Sequence, residues 1–155
     1  MLLAVDLGLR TGLALYGRDG RLVSYRSQNL GTRARLRKAA GSVLHDHRDV
    51  ERLVLEGGGD IAEIWQRAGE RAGLVVRTVD AGTWRRRLLL SREQRSGADA
   101  KQAADGLARA IIEWSGAPRP KGALRHDAAE AVAVGLWGVL NAGWLADVPE
   151  AVARR

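Results

Sequence analysis

The sequence contains no cysteine in its 155 residues. Disulfides and thiolate-bound metals are thereby excluded, and the chain reads as a protein of a reducing compartment. Any metal must sit on carboxylates or histidines. No apolar run approaches the roughly 20 residues that carry a helix across a bilayer. The opening run Met1 to Val5 is broken by Asp6 before a signal-peptide core can form. The expectation is a cytoplasmic, soluble protein with no membrane contact. Phenylalanine is missing too, and no internal repeat, low-complexity stretch or interdomain linker is visible.

What is present is enough for one core. The hydrophobic content is 46%, which at this length can fill a single domain without staples. One unit over residues 1–155 is expected, with a tail that frays after Pro149. Lys and Arg together number 25 against 18 Asp and Glu, a net charge of +7. Arginine dominates the cations. Guanidinium forks match phosphate oxygens in pairs, and binding a polyanion releases its condensed counterions, so this balance suits a nucleic acid. An arginine-rich codon bias gives the same composition without any such partner.

Hydrophobic periodicity gives the order of elements. Leu2 to Leu7 reads as a buried strand, Gly8 to Gly12 as a tight turn, Leu13 to Tyr16 and Leu22 to Ser27 as antiparallel strands joined at Arg18-Asp19-Gly20. Apolar positions at helical spacing follow from Thr32 to His47. Leu53-Val54-Leu55 is a short strand ending at Glu56, followed by a glycine loop, a helix over Ile61 to Ala72 and a strand over Leu74 to Val79. A short basic helix begins after Gly82, a polar loop covers Ser91 to Gly97, and helices span Asp99 to Ser115 and Arg125 to Ala142. This order predicts an α/β fold with a mixed five-stranded sheet, three antiparallel strands and then parallel ones, and helices on both faces.

Two strands end alike. Asp6 closes one apolar run and Glu56 another, each at the mouth of a glycine-rich turn. A right-handed crossover makes these strands parallel, which brings both acids to one edge of the sheet. They would repel each other unless a cation neutralised them. Asp6 has a second reading, as an Asx-type cap for the turn at Gly8. On the metal reading, Gly8 and Gly12 let a phosphate or the next strand approach closely. Asp127 and Glu130 share one face of the last long helix. They also fit a capping box, in which both acids serve only backbone amides.

Four carboxylates without a thiolate point to hard cations, Mg²⁺ or Mn²⁺. Two such ions can activate water and stabilise the leaving oxygen in phosphodiester hydrolysis. Lys101, near the start of a helix, is a candidate phosphate contact or a solvated lysine, and His126 is a secondary metal or proton-shuttle candidate. Arg85, Arg86 and Arg87, with Trp84 beside them, form the densest basic cluster, suited to DNA phosphates and stacking or to a solvated face. The remaining tryptophans fall on apolar helical stripes.

Taken in order, Ala4-Val5-Asp6-Leu7-Gly8 with Thr11-Gly12, Leu53-Val54-Leu55-Glu56, Trp84-Arg85 with Leu88-Leu89, Lys101, and His126-Asp127 with Glu130 form a pattern. It resembles that of the RuvC-type Holliday junction resolvases. The resemblance implies a ribonuclease H-like fold, divalent-metal cleavage of four-way DNA junctions, and a homodimer that makes paired nicks. It implies that Asp6, Glu56, Asp127 and Glu130 are metal ligands and that Lys101 lies near the scissile phosphate. Glu130 stands where the family usually has aspartate. The segment after Glu56 is shorter than the family's interface helix, and Gly57-Gly58-Gly59 replaces its aromatic wedge. Two further readings are a YqgF-type nuclease acting on RNA and a non-catalytic nucleic-acid-binding module on the same fold.

Overall fold

The computed structural model describes residues 1–154. Five strands, β1 (Leu2–Asp6), β2 (Arg10–Tyr16), β3 (Leu22–Asn29), β4 (Arg52–Glu56) and β5 (Val75–Val79), form one sheet in the order β3-β2-β1-β4-β5. Strands β1, β2 and β3 are antiparallel neighbours, whereas β4 pairs parallel with both β1 and β5. The expected mixed sheet is the one observed.

Side-chain alternation sorts the core into two layers. Leu3, Val5, Leu13, Leu15, Leu53 and Leu55 point to one face, where α1 (Arg33–Asp46) and α2 (Gly59–Arg71) cover them. Leu2, Ala4, Ala14, Tyr16 and Val54 point to the other, beneath α3 (Ala81–Leu88), α4 (Gly97–Ser115) and α5 (His126–Asn141). Asp6 and Glu56 continue the second parity, so both project on the α5 face.

Helix α5 is buried almost throughout, from Asp127 to Val139, because it lies on the sheet with α4 packed against it. A helix enclosed on several sides must be apolar all round, and its Ala, Val and Gly content meets that need. Small residues also set the approach distance. A Cβ on Gly135 would stand 2.1 Å from the Tyr16 ring, so only glycine admits this contact. The Tyr16 hydroxyl donates to the Val132 carbonyl at 2.6 Å and pins the helix to β2.

Three local expectations are revised. The glycine-rich turn after β1 is shorter than Gly8 to Gly12, since β2 already begins at Arg10. The polar stretch Ser91 to Gly97 contains a 3-10 turn, Ser91–Gln94, and ends as the first residue of α4. The tail does not fray at Pro149: Glu150–Ala153 form a short helix, α6, whose Val152 is fully buried in the core. Burial of that one apolar side chain against α4 is what a local reading of a polar tail misses. Among the described residues no helix is long and apolar enough to cross a membrane.

Candidate metal centre

A row of register partners crosses the whole sheet: Ser27 on β3, Gly12 on β2, Asp6 on β1, Glu56 on β4 and Val79 on β5. The first turn of α5 rests on this row. A Cβ on Gly12 would lie 1.9 Å from the Asp127 carbonyl oxygen, so the glycine is a gap into which the helix backbone settles. The close approach expected at Gly12 is made by this helix.

The seating brings together Asp6, Glu56 and Glu130, each offering a carboxylate oxygen within 4.8 Å of the others. Asp127 is placed differently. It is buried and its Oδ2 accepts a hydrogen bond from the Ser27 hydroxyl, at the far end of the row from Glu56. Three of the four expected acids therefore converge, with the fourth tethered beside them. The approach of α5 has no side-chain cap: its N-cap is Arg125, and Asp127 and Glu130 lie inside the helix. The capping-box reading of the pair is thereby overturned. The turn after Asp6 is closed by the Thr11 hydroxyl donating to the Gly8 carbonyl at 2.6 Å.

Electrostatics mark the cluster as strained in charge. Burial pushes the Asp6 carboxyl up to about 9 from 3.8, and a hydrogen bond to Glu56 and the charges of Glu130, Glu56 and Asp127 push the same way. Burial also raises Glu56, opposed by the hydrogen bond from Asp6 and by Arg85. Asp6 thus keeps a proton and shares it with Glu56. A divalent cation would replace that proton. Converging oxygen donors, too close to be anionic together, suit a hard divalent cation better than a soft one.

The cationic candidates fare differently. Arg85, on α3, pairs with Glu130 through Nη2 and Oε1 at 2.7 Å, with little solvent access to either side chain. Arg86 donates to the Thr83 hydroxyl at 3.3 Å, and Arg87 pairs with Asp147 at 2.9 Å. Trp84 is fully buried, so the expected stacking on a base is excluded. It anchors α3 in the core, which is what holds Arg85 at the centre. His126 Nε2 is 3.4 Å from Glu130 Oε2. Lys101 is exposed on α4 and makes no ion pair among the described residues.

One contributor was invisible in the sequence, and another was visible there only as a member of a cluster. Ser27 lies 100 residues from its partner Asp127, and no local spacing links them. Arg85 reads as one of three interchangeable arginines until the fold selects it. Two of the three glycines after Glu56 gain a backbone reason, because Gly57 and Gly59 adopt φ of 118° and 69°, a region that side chains disfavour.

No protein-family model and no curated protein sequence matches the chain. Solved structures do. Thermus thermophilus RuvC, solved in complex with a Holliday junction substrate, superposes with a TM-score of 0.64 at 18% identity, covering 92% of this chain and 94% of that one. The same protein solved alone gives 0.64 at 19% identity over 92% and 95%. The yeast mitochondrial Holliday junction resolvase Ydc2 aligns over 92% of this chain and 81% of its own at 14% identity, with a TM-score of 0.48. The chain has the ribonuclease H-like fold of the RuvC structures.

Proposed function

We propose that this chain is a metal-dependent, structure-selective DNA endonuclease that resolves four-way junctions by paired nicks. The observation that carries the reading is the convergence of Glu130, from α5, with the register partners Asp6 and Glu56, on a chain of net charge +7. An acidic centre that concentrates cations, set in a basic protein that attracts a polyanion, is the combination that phosphodiester cleavage needs. The fold shared with a RuvC solved on a Holliday junction supports the choice of substrate.

In this reading Asp6, Glu56 and Glu130 are the principal ligands, and Asp127, tethered to Ser27, adds negative charge behind Asp6. A pair of Mg²⁺ or Mn²⁺ ions would supply the charge neutralisation that activates water and stabilises the leaving oxygen. The strands fix the Asp6 and Glu56 backbones as direct register partners, so the acids need no rearrangement to share a ligand. Buried Asp127 and Glu130 are already desolvated, which strengthens their interaction with a bound cation. Lys101 and Arg86 contribute contacts to phosphates flanking the cut, and a homodimer brings two centres to one junction.

A synthetic four-way junction incubated with Mg²⁺ or Mn²⁺ tests this. Symmetric nicks that disappear in Asp6→Asn are expected. Cleavage by that variant, or none by the unmodified protein with either metal, overturns the reading. A preference for structured RNA under the same conditions moves the assignment to an RNA-processing nuclease of the YqgF type.

A further inference from the structure

We infer that Arg85 is a resident counter-cation: it occupies Glu130 while the centre holds no metal, yields that oxygen to an entering divalent ion, and then turns its guanidinium to the substrate phosphate. This rests on the nuclease reading above. It adds an exchange that neither the acidic cluster nor the fold by itself requires.

Three features carry the inference. First, Arg85 is the one arginine or lysine within ion-pair distance of the three converging carboxylates among the described residues, at 2.7 Å from Glu130. The other basic neighbour, His126, sits 3.4 Å from Glu130, is itself 43% exposed, and carries charge only when protonated. Second, the pair is shielded, with side-chain exposures of 24% for Arg85 and 11% for Glu130. A shielded guanidinium on a prospective ligand is a direct competitor, since it and a divalent ion seek the same lone pairs and repel each other.

Third, Arg85 cannot leave the neighbourhood when displaced. Helix α3 starts at an Asp80 cap, whose side chain accepts from the Thr83 amide at 2.9 Å, and is nailed into the core by fully buried Trp84 and by Leu88. The guanidinium carbon lies 5.2 Å from the Trp84 ring centroid. Its Nε is buried and has no hydrogen-bond partner, so Glu130 leaves one donor of the planar fork unused, and release of Nη2 from Glu130 would free a second. A fork of spare donors beside a metal centre matches the two non-bridging oxygens of a phosphodiester. Metal entry and phosphate capture are thereby linked, and by reciprocity each favours the other.

The sign of one measurement separates this from a purely structural role. Titration of Mn²⁺ alone, by calorimetry and by thermal shift, is compared in unmodified protein, Arg85→Gln, Arg85→Lys and the remote charge control Arg109→Gln. Removing a competitor should tighten Mn²⁺ binding by Arg85→Gln about 3- to 10-fold, with little change in Arg109→Gln, whose guanidinium serves Asp105. At saturating Mn²⁺, nicking by Arg85→Gln should fall at least 10-fold, and Arg85→Lys should recover part of it. Unchanged or weaker Mn²⁺ binding by a folded Arg85→Gln, with nicking retained by the unmodified protein, overturns the exchange. Tighter binding with undiminished nicking overturns the phosphate contact. Absence of Mn²⁺ binding and of nicking in every protein brings down the nuclease reading itself.

Discussion

Neutralising Asp6 should make the metal-free protein more stable while destroying its activity. In the native state its carboxyl is raised from 3.8 to about 9, chiefly by burial. The folded protein therefore keeps a proton that the unfolded chain releases. The resulting penalty is absent below about pH 4, grows with each pH unit above that, and levels off above about 9. Each unit is worth 1.36 kcal/mol, so at pH 7 the ceiling is about 4 kcal/mol. Asp6→Asn keeps the shape and a donor for Glu56 but has nothing to titrate. Allowing for the lost carboxyl's own contacts, a gain of about 2 kcal/mol is expected, equivalent to a rise of about 4–8 °C in melting temperature for a chain of this size.

The assay is thermal melting in EDTA at pH 5, 7 and 8.5. The gap between variant and unmodified protein should widen as pH rises, because the other titrating groups are common to both. Adding Mn²⁺ should reverse the ranking, raising the unmodified protein and leaving the variant unmoved. An Asp6→Asn variant that melts no higher than the unmodified protein at pH 7, or a gap that does not grow with pH, would refute the account of a charge-strained centre.

Two further predictions concern the frame around it. Gly12→Ala should lift the first turn of α5 off the sheet, because the new methyl would meet the Asp127 carbonyl at 1.9 Å. A loss of about 3 kcal/mol is expected in denaturant unfolding, together with loss of the Mn²⁺-induced thermal shift; unaltered stability would show that the helix does not settle there. Val152→Ala should cost about 1–2 kcal/mol, since the side chain is fully buried, whereas a frayed tail would register nothing in the same unfolding curve.

Much of the architecture was legible because hydrophobic period reports directly on which face is buried. The runs ending at Asp6 and Glu56 are short, apolar and punctuated by glycine, and each gave a strand whose last residue is the acid. Parity then did unseen work: counting alternate residues from Leu2 and from Val54 puts both acids on the α5 side. The His126–Asn141 helix was legible as a helix, but its two acids could be read either as ligands or as a cap. A pattern of two acids three apart is shared by caps and by ligands, and only packing distinguishes them. Ser27, and the pairing of Arg85 with Glu130, lay beyond reach for a different reason. Their importance comes from contacts between elements far apart in sequence, β3 with α5 and α3 with α5, which no window along the chain contains. Trp84 illustrates the opposite error, since an aromatic among arginines invites a stacking role while the fold spends it entirely on anchoring α3. The tail was misjudged on composition, because a single buried valine outweighs its polar neighbours.

The register row beneath α5 also separates two kinds of change that this domain can undergo. Asp6 and Glu56 are carried by adjacent, hydrogen-bonded strands and Glu130 by a helix that lands on them through Gly12. The connections over residues 89–96 and 116–125 branch off outside that frame. Lengthening or replacing them should change the surface around the acids and leave the interval between the acids untouched. The spacing of the acids is thus set by the sheet and the helix seated on it, and the shape of the surface around them by segments that do not touch that spacing.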